Sequence, residues 1–159
     1  MSPGELGAAS LAAIEKQTAD VLNLDSSQLR QLTDDIWAEY LGTLDEQLAG
    51  YFASLRPRYQ TGILSNSMVG AREREQAAYG LGDLCDVLVY SHEEGMAKPE
   101  PRFYRLVCDR LDVFPGETIF LDDTLQHVEG ARAVGMHALR FTSTKRDIKE
   151  LSLTMKRAC

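Results

Sequence analysis

The sequence predicts an α/β domain, a parallel sheet with helices on its faces, preceded by a purely helical segment. Three observations carry this. Short apolar runs alternate with amphipathic stretches from Thr61 onward, polar clusters follow three of those runs, and the chain up to about Arg58 is helical in periodicity throughout. Strands that alternate with helices must lie parallel, because each connection has to return over the sheet and does so by a right-handed crossover.

In the N-terminal part, Leu29, Leu32, Ile36, Trp37, Tyr40 and Leu41 recur at the spacing of one helix face. Ser26 or Ser27 ahead of them can satisfy the orphan amides of a helix start. Leu44, Leu48, Tyr51, Phe52 and Leu55 form a second stripe, and Leu11, Ile14 and Val21 a fainter, earlier one. Trp37, Tyr40, Tyr51 and Phe52 fall on these stripes and are read as helix packing rather than as pocket walls. The texture changes near Pro57, dividing a helical region, residues 1–58, from a core region, residues 59–159.

Gly62-Ile63-Leu64 is a strand-like run that ends in Ser65-Asn66, and a charged helical stretch from Met68 to Tyr79 follows until Gly80 and Gly82 break it. Val87-Leu88-Val89-Tyr90 repeats the cycle. The loop Ser91 to Lys98 then leads to a helix opened by Pro99, proline being favourable in a first helical turn. Thr118-Ile119-Phe120-Leu121 runs into Asp122-Asp123 and a helix through Val128, Ala131 and Val134, stopped by Gly135. His137 to Phe141 forms a fourth strand, and Ile148 with Leu151 marks a last helix.

A chain of 159 residues, 44% hydrophobic and 26% charged, is long enough for one domain with a core. A net charge of -7 and a pI near 4.9 oppose nucleic-acid binding, which needs clustered cations against phosphates. Small molecules or protein partners fit better. The start of the chain has no basic segment followed by an apolar run, and no stretch approaches the roughly 20 apolar residues of a membrane span. Cys85, Cys108 and Cys159 are scattered without a C-x-x-C pair, which indicates neither a disulfide framework nor a zinc site. The expectation is a cytoplasmic protein that binds no membrane and keeps Cys85 and Cys108 as small buried apolar residues.

Ligands of open parallel sheets bind beyond the carboxyl ends of the strands. Three cycles place polar residues there: Ser65-Asn66, Lys98 and Asp122-Asp123. An acid pair offers hard oxygen ligands of the kind magnesium takes, one or two carboxylates with phosphate and water completing the shell. Two close carboxylates also repel and should titrate as a unit unless a cation relieves them. The plainer alternative is that Asp123 caps the next helix and Asp122 is a solvated turn residue. Lys98 lies between Gly95, which permits a tight turn, and Pro99, which biases it toward an extended conformation. Held so, it can reach a phosphoryl group or a carboxylate as a point charge; otherwise it is a solvated surface lysine. Ser65 can donate its hydroxyl to a phosphoryl oxygen, or simply end the strand. His92, His127 and His137 match no zinc spacing and are read as structural or solvent-facing, although His127 sits in the helical turn nearest the acid pair.

Ile63-Leu64-Ser65-Asn66, then Gly95-Met96-Ala97-Lys98-Pro99-Glu100-Pro101, then Ile119-Phe120-Leu121-Asp122-Asp123 continuing through Val128-Glu129-Gly130-Ala131-Arg132-Ala133-Val134-Gly135-Met136 resemble, in order and spacing, the second, third and fourth motifs of the haloacid dehalogenase superfamily. The likeness covers about Thr61 to Phe141. Within the superfamily the sequence is similar to the branch that includes the N-terminal phosphatase domain of soluble epoxide hydrolase, where a helical cap lies between the first and second motifs. The helices before Arg58 look like that cap. The resemblance implies a Rossmann-like core and a magnesium-dependent phosphatase of small phosphorylated molecules. Ser65 and Lys98 would be catalytic, Ser65, Asn66 and Lys98 would bind phosphate, and Asp122 with Asp123 would hold magnesium. Displacement of halide from carbon is a narrower alternative that the acid pair disfavours. A response-regulator receiver domain uses similar groups, but its acid pair comes first in the chain and here it comes last.

The family's nucleophile motif is a D-x-D after an apolar strand, and no D-x-D occurs in the sequence. Asp34-Asp35 lie inside a helical stripe and follow no strand. In the family that motif ends a strand lying between those of the second and fourth motifs. The expected sheet therefore lacks its first, central strand, which leaves the neighbouring edges unpaired. Three expectations follow: a piece of a longer hydrolase whose first strand lies upstream of Met1, a catalytically inactive ligand-binding or protein-interaction module, or a site completed by another carboxylate or another chain. Unpaired edges would also favour a homo-oligomer.

Overall fold

The computed structural model describes residues 9–158. It opens with two helices, α1 (Leu11–Leu22) and α2 (Ser26–Leu41), that pack on each other as a hairpin. Ser10 caps α1 by accepting from the Ala13 amide, and Asn23 ends it in the left-handed conformation. The cap of α2 is Asp25 rather than a serine. Its carboxylate accepts from the Ser27 and Gln28 amides while the Gln28 side chain accepts from the Asp25 amide, so the serines lie inside the first turn. Along the α2 stripe only Trp37 is buried, and Ile36 stays 45% exposed, because the hairpin has a neighbour on one side only.

The third helix, α3 (Glu46–Ala53), starts at Asp45, which accepts from the Leu48 amide. The remaining elements are β1 (Gly62–Ser65), α4 (Ala71–Tyr79), α5 (Leu81–Leu84), β2 (Val87–Tyr90), α6 (Ser91–Glu94), α7 (Pro101–Leu111), a 3-10 turn (Pro115–Glu117), β3 (Ile119–Asp122), α8 (Leu125–Ala133), β4 (His137–Arg140) and α9 (Thr144–Ala158). The α3 helix packs with α5 and α9, and the Tyr51 hydroxyl lies 2.8 Å from Ser152 Oγ. The α2 helix packs on α4 instead. Helix α7 opens at Pro101, two residues later than expected, while Pro99 lies in a turn closed by the Glu100 amide on the Ala97 carbonyl. No helix among the described residues is long and apolar enough to cross a membrane.

All strand pairing is parallel, as the alternation of elements requires. Ser65 stands opposite Tyr90 in the β1–β2 pair, and Asp122 opposite Arg140 in the β3–β4 pair. Among the described residues these are two separate pairs, with no ladder between β1 and β3. Ile63, Phe120 and Leu121 are accordingly only partly buried, where a closed sheet would cover them. The pairs are joined instead by α7, which packs on β1, β2 and α8. Its residues Phe103, Tyr104, Val107 and Cys108 form one apolar cluster with Leu64 and Val89 from the first pair and with Ala138, Val128 and Ala131 around the second. Cys85 and Cys108 are free thiols and buried; Cys159 lies outside the described residues.

Candidate functional site at the strand ends

The carboxyl end of β1 carries Ser65 and then Asn66, whose amide grips the main chain of Lys98 from both sides. Asn66 Nδ2 donates to the Lys98 carbonyl at 3.0 Å, and the Lys98 amide donates to Asn66 Oδ1 at 2.8 Å. This turns a flexible loop into a fixed mount for the lysine. The next helix reinforces the mount: a Cβ at Gly130 would lie 2.9 Å from Pro99 Cβ and 3.1 Å from the Pro99 carbonyl oxygen. Only glycine lets α8 approach the Lys98–Pro99 turn so closely.

Lys98 Nζ donates to Asp122 Oδ2 at 2.7 Å, with the two side chains 11% and 6% exposed. The other carboxylate oxygen, Oδ1, accepts from the Thr124 amide at 2.9 Å and lies 3.0 Å from His127 Nδ1. Burial alone would raise the Asp122 pKa. The Lys98 ammonium, the Thr124 amide and His127 outweigh it and hold the carboxyl below its ordinary value. The plainer alternative for the acid pair is thereby reversed, since Asp122 is the buried member and serves the start of α8. Asp123 is exposed, and its carboxylate accepts from the Thr124 hydroxyl at 3.2 Å.

Three of the expected residues, Asn66, Lys98 and Asp122, therefore form one connected cluster, with Ser65 adjoining it through the chain. His127 belongs to the cluster as well, and the Tyr104 hydroxyl donates to its carbonyl at 2.8 Å. The Phe120 ring lies 5.8 Å from Lys98 Nζ. Thr124 could have been suspected from its place after the acid pair; Tyr104 and Gly130 become visible only once α7 and α8 are packed. Asp34 and Asp35 sit exposed in the middle of α2, away from any strand end. A surface hollow of about 460 Å³ between α2 and α4, lined by Asp34, Trp37 and Arg74, is also remote from the strand ends.

The donor set suits magnesium, which commonly takes one or two carboxylates. Asp123 is exposed, and Asp122 is paired with Lys98. Among the described residues no group of three or more His, Cys, Asp or Glu side chains converges, so the remaining ligands would be water or substrate oxygens.

Parallel strands whose carboxyl ends gather a lysine, an amide and an acid pair define an α/β protein with a charged polar cluster at its strand ends. The chain belongs to the haloacid dehalogenase-like hydrolase family, whose model matches residues 6–135. It is similar to a phosphatase of Mycobacterium tuberculosis, 42% identical over 81 residues, which are 50% of this chain and 37% of that one. A bifunctional epoxide hydrolase of Sus scrofa is 34% identical over 97 residues, 58% of this chain and 18% of that one. The chain thus spans well under half the length of either relative. A family enzyme from Bacteroides thetaiotaomicron, solved with magnesium and inorganic phosphate, superposes with a TM-score of 0.76 at 21% identity, covering 88% of this chain and 73% of that one.

Proposed function

We propose that the chain handles a small phosphorylated substrate in magnesium-dependent phosphate ester hydrolysis. The observation that carries this is the Lys98–Asp122 pair of 2.7 Å, mounted on Asn66 at the strand ends. A phosphoryl group there would exchange with Asp122 as the partner of Lys98, a charge-for-charge replacement that leaves no buried ammonium unpaired. Ser65 would donate its hydroxyl to a phosphoryl oxygen and Asn66 would keep the lysine in place. Asp122 and Asp123 would hold magnesium, which when bound neutralises charge on the transferring group. The phosphatase among the relatives supports this reading of the substrate.

A second reading, a ligand-binding or assembly module without turnover, is favoured by one observation: the sequence has no D-x-D to supply the attacking carboxylate. Release of phosphate from p-nitrophenyl phosphate, with and without magnesium, separates the two. Magnesium-dependent turnover that disappears in Lys98→Ala supports hydrolysis. Orthophosphate binding without turnover supports the module, and neither turnover nor binding defeats both.

A further inference from the structure

Ser67 comes directly after Asn66 in the chain, and three hydrogen bonds tie it to the end of the neighbouring strand. Its amide donates to Ser91 Oγ at 2.9 Å, the Ser91 hydroxyl donates to the Ser67 carbonyl at 3.2 Å, and Ser67 Oγ shares a hydrogen bond of 2.8 Å with His92 Nδ1. Ser67 is 2% exposed and the His92 side chain 9%, so water has little access to replace these bonds. His92 itself has little room to turn. Its ring lies against that of Tyr90 at a centroid distance of 5.6 Å, and Nε2 faces Glu93 Oε1 at 3.9 Å. Arg72 in turn fixes Glu93, meeting both carboxylate oxygens at 2.6 Å and donating to the Leu88 carbonyl of β2 at 3.1 Å. The imidazole is therefore a fixed post built on β2 and α6, and Ser67 is where the β1 loop hooks onto it. Two consecutive residues thus clasp two different segments: Asn66 the Lys98 turn, and Ser67 the start of α6.

We propose that His92 is a positioning residue for Lys98: by hooking Ser67 it fixes the main chain from which Asn66 grips the lysine turn, and so it sets the phosphate affinity of the strand ends. This rests on the reading of Lys98 as a phosphate ligand. The two Asn66 bonds depend on angle as well as distance, so they hold the turn only while the Asn66 main chain keeps its orientation. A loop released at Ser67 gains orientations in which those bonds go to water. The ammonium is then no longer set in place before the ligand arrives, and ordering it becomes a cost of binding. His92 acts without touching the ligand.

The test is calorimetric titration of the full chain with inorganic phosphate, together with urea unfolding, for the parent, Lys98→Ala, Asn66→Ala, His92→Ala, His92→Asn and the variant that combines His92→Ala with Asn66→Ala. His92→Ala should weaken phosphate about 3- to 10-fold, the scale of one net hydrogen bond. It should cost nothing more in the Asn66→Ala background, because the effect runs through Asn66. Asparagine keeps a hydrogen-bonding atom at the place of Nδ1 but lacks the ring that lies against Tyr90. His92→Asn should therefore restore the affinity without restoring the urea midpoint, whereas a role in stability alone would move the two together. Should His92→Ala not fold, Ser67→Ala, which removes the same bond by the loss of one oxygen, is expected to weaken phosphate to a similar degree. Unchanged affinity in His92→Ala, or in Ser67→Ala as its substitute, while Lys98→Ala weakens binding overturns the proposal. So does a double variant whose losses multiply, or a His92→Asn variant that binds as weakly as His92→Ala. No effect of Lys98→Ala, or no phosphate bound by the parent, would instead defeat the reading of Lys98 itself, and the role of His92 with it.

Discussion

The β1–β2 pair ends in neutral hydroxyl and amide groups, Ser65, Asn66, Tyr90 and Ser91, whereas the β3–β4 pair ends in charges, Asp122, Asp123 and Arg140. The first pair carries hydroxyl hydrogen bonds, such as the Ser67 amide to Ser91 Oγ at 2.9 Å and Ser67 Oγ to His92 Nδ1 at 2.8 Å, and the Tyr90 hydroxyl donates to Glu75. The second is tied by ionic ones. Lys98 belongs to both, its main chain held by Asn66 and its ammonium by Asp122. The difference teaches how the work is divided: one half sets geometry and the other sets charge, and Lys98 joins them, its main chain held on one side and its ammonium on the other.

The largest expected effect tests the apolar link between the halves. Phe103 is fully buried in α7, and Phe103→Ala should cost about 3–5 kcal/mol in urea unfolding, in line with large-to-small core changes. A cost below about 1 kcal/mol would mean that the halves are not held together through α7.

Lys98→Met tests the ionic link. Asp122 would keep Thr124 and His127 but lose its ammonium, for about 2–3 kcal/mol, the scale of a hydrogen bond to a charged group. The pH dependence carries a sign. A carboxyl whose folded pKa lies below its unfolded value near 4 stabilises the fold above that value. The stabilisation is lost as pH falls through the lower, folded pKa. The urea midpoint of the parent should therefore drop on acidification below about pH 5, and that of Lys98→Met should drop less. Parallel curves would remove Lys98 as the cause of the shift.

Asn66→Ala should cost about 1–2 kcal/mol for two hydrogen bonds and weaken orthophosphate binding by loosening the lysine mount. The smallest effect is expected at Arg140. Its Nε donates to the exposed Asp123 carbonyl at 3.0 Å, and Arg140→Ala should change stability by no more than about 0.5 kcal/mol in thermal melts. A larger loss would show that the charged half depends on its rim as well as on Asp122.

Much of this was legible in the sequence because strand runs and helical stripes report burial at fixed periods. The four strands fall where Gly62-Ile63-Leu64, Val87 to Tyr90, Ile119 to Leu121 and His137 to Phe141 place them. The polar residues after the runs could be named in advance, since strand ends are where chain order and ligand sites coincide. What periodicity does not encode is which atom meets which. Neighbouring aspartates look alike in a sequence, and Asp122 is the inward one because β3 ends on it and Lys98 arrives from a different loop. The cap of α2 went to Asp25 because a carboxylate one residue earlier accepts two amides at once. Helix α7 starts at Pro101 because the Lys98–Pro99 turn is occupied in presenting the lysine.

The divided pairing has a consequence of another kind. Among the described residues each strand has a ladder on one side only, so both pairs expose backbone groups of the sort that recruit extended segments. Any segment that binds there only in the folded state, including one from another copy, shifts the folding equilibrium by mass action. The stability measured for this chain would then depend on concentration and company, and the variants above are to be compared at one protein concentration.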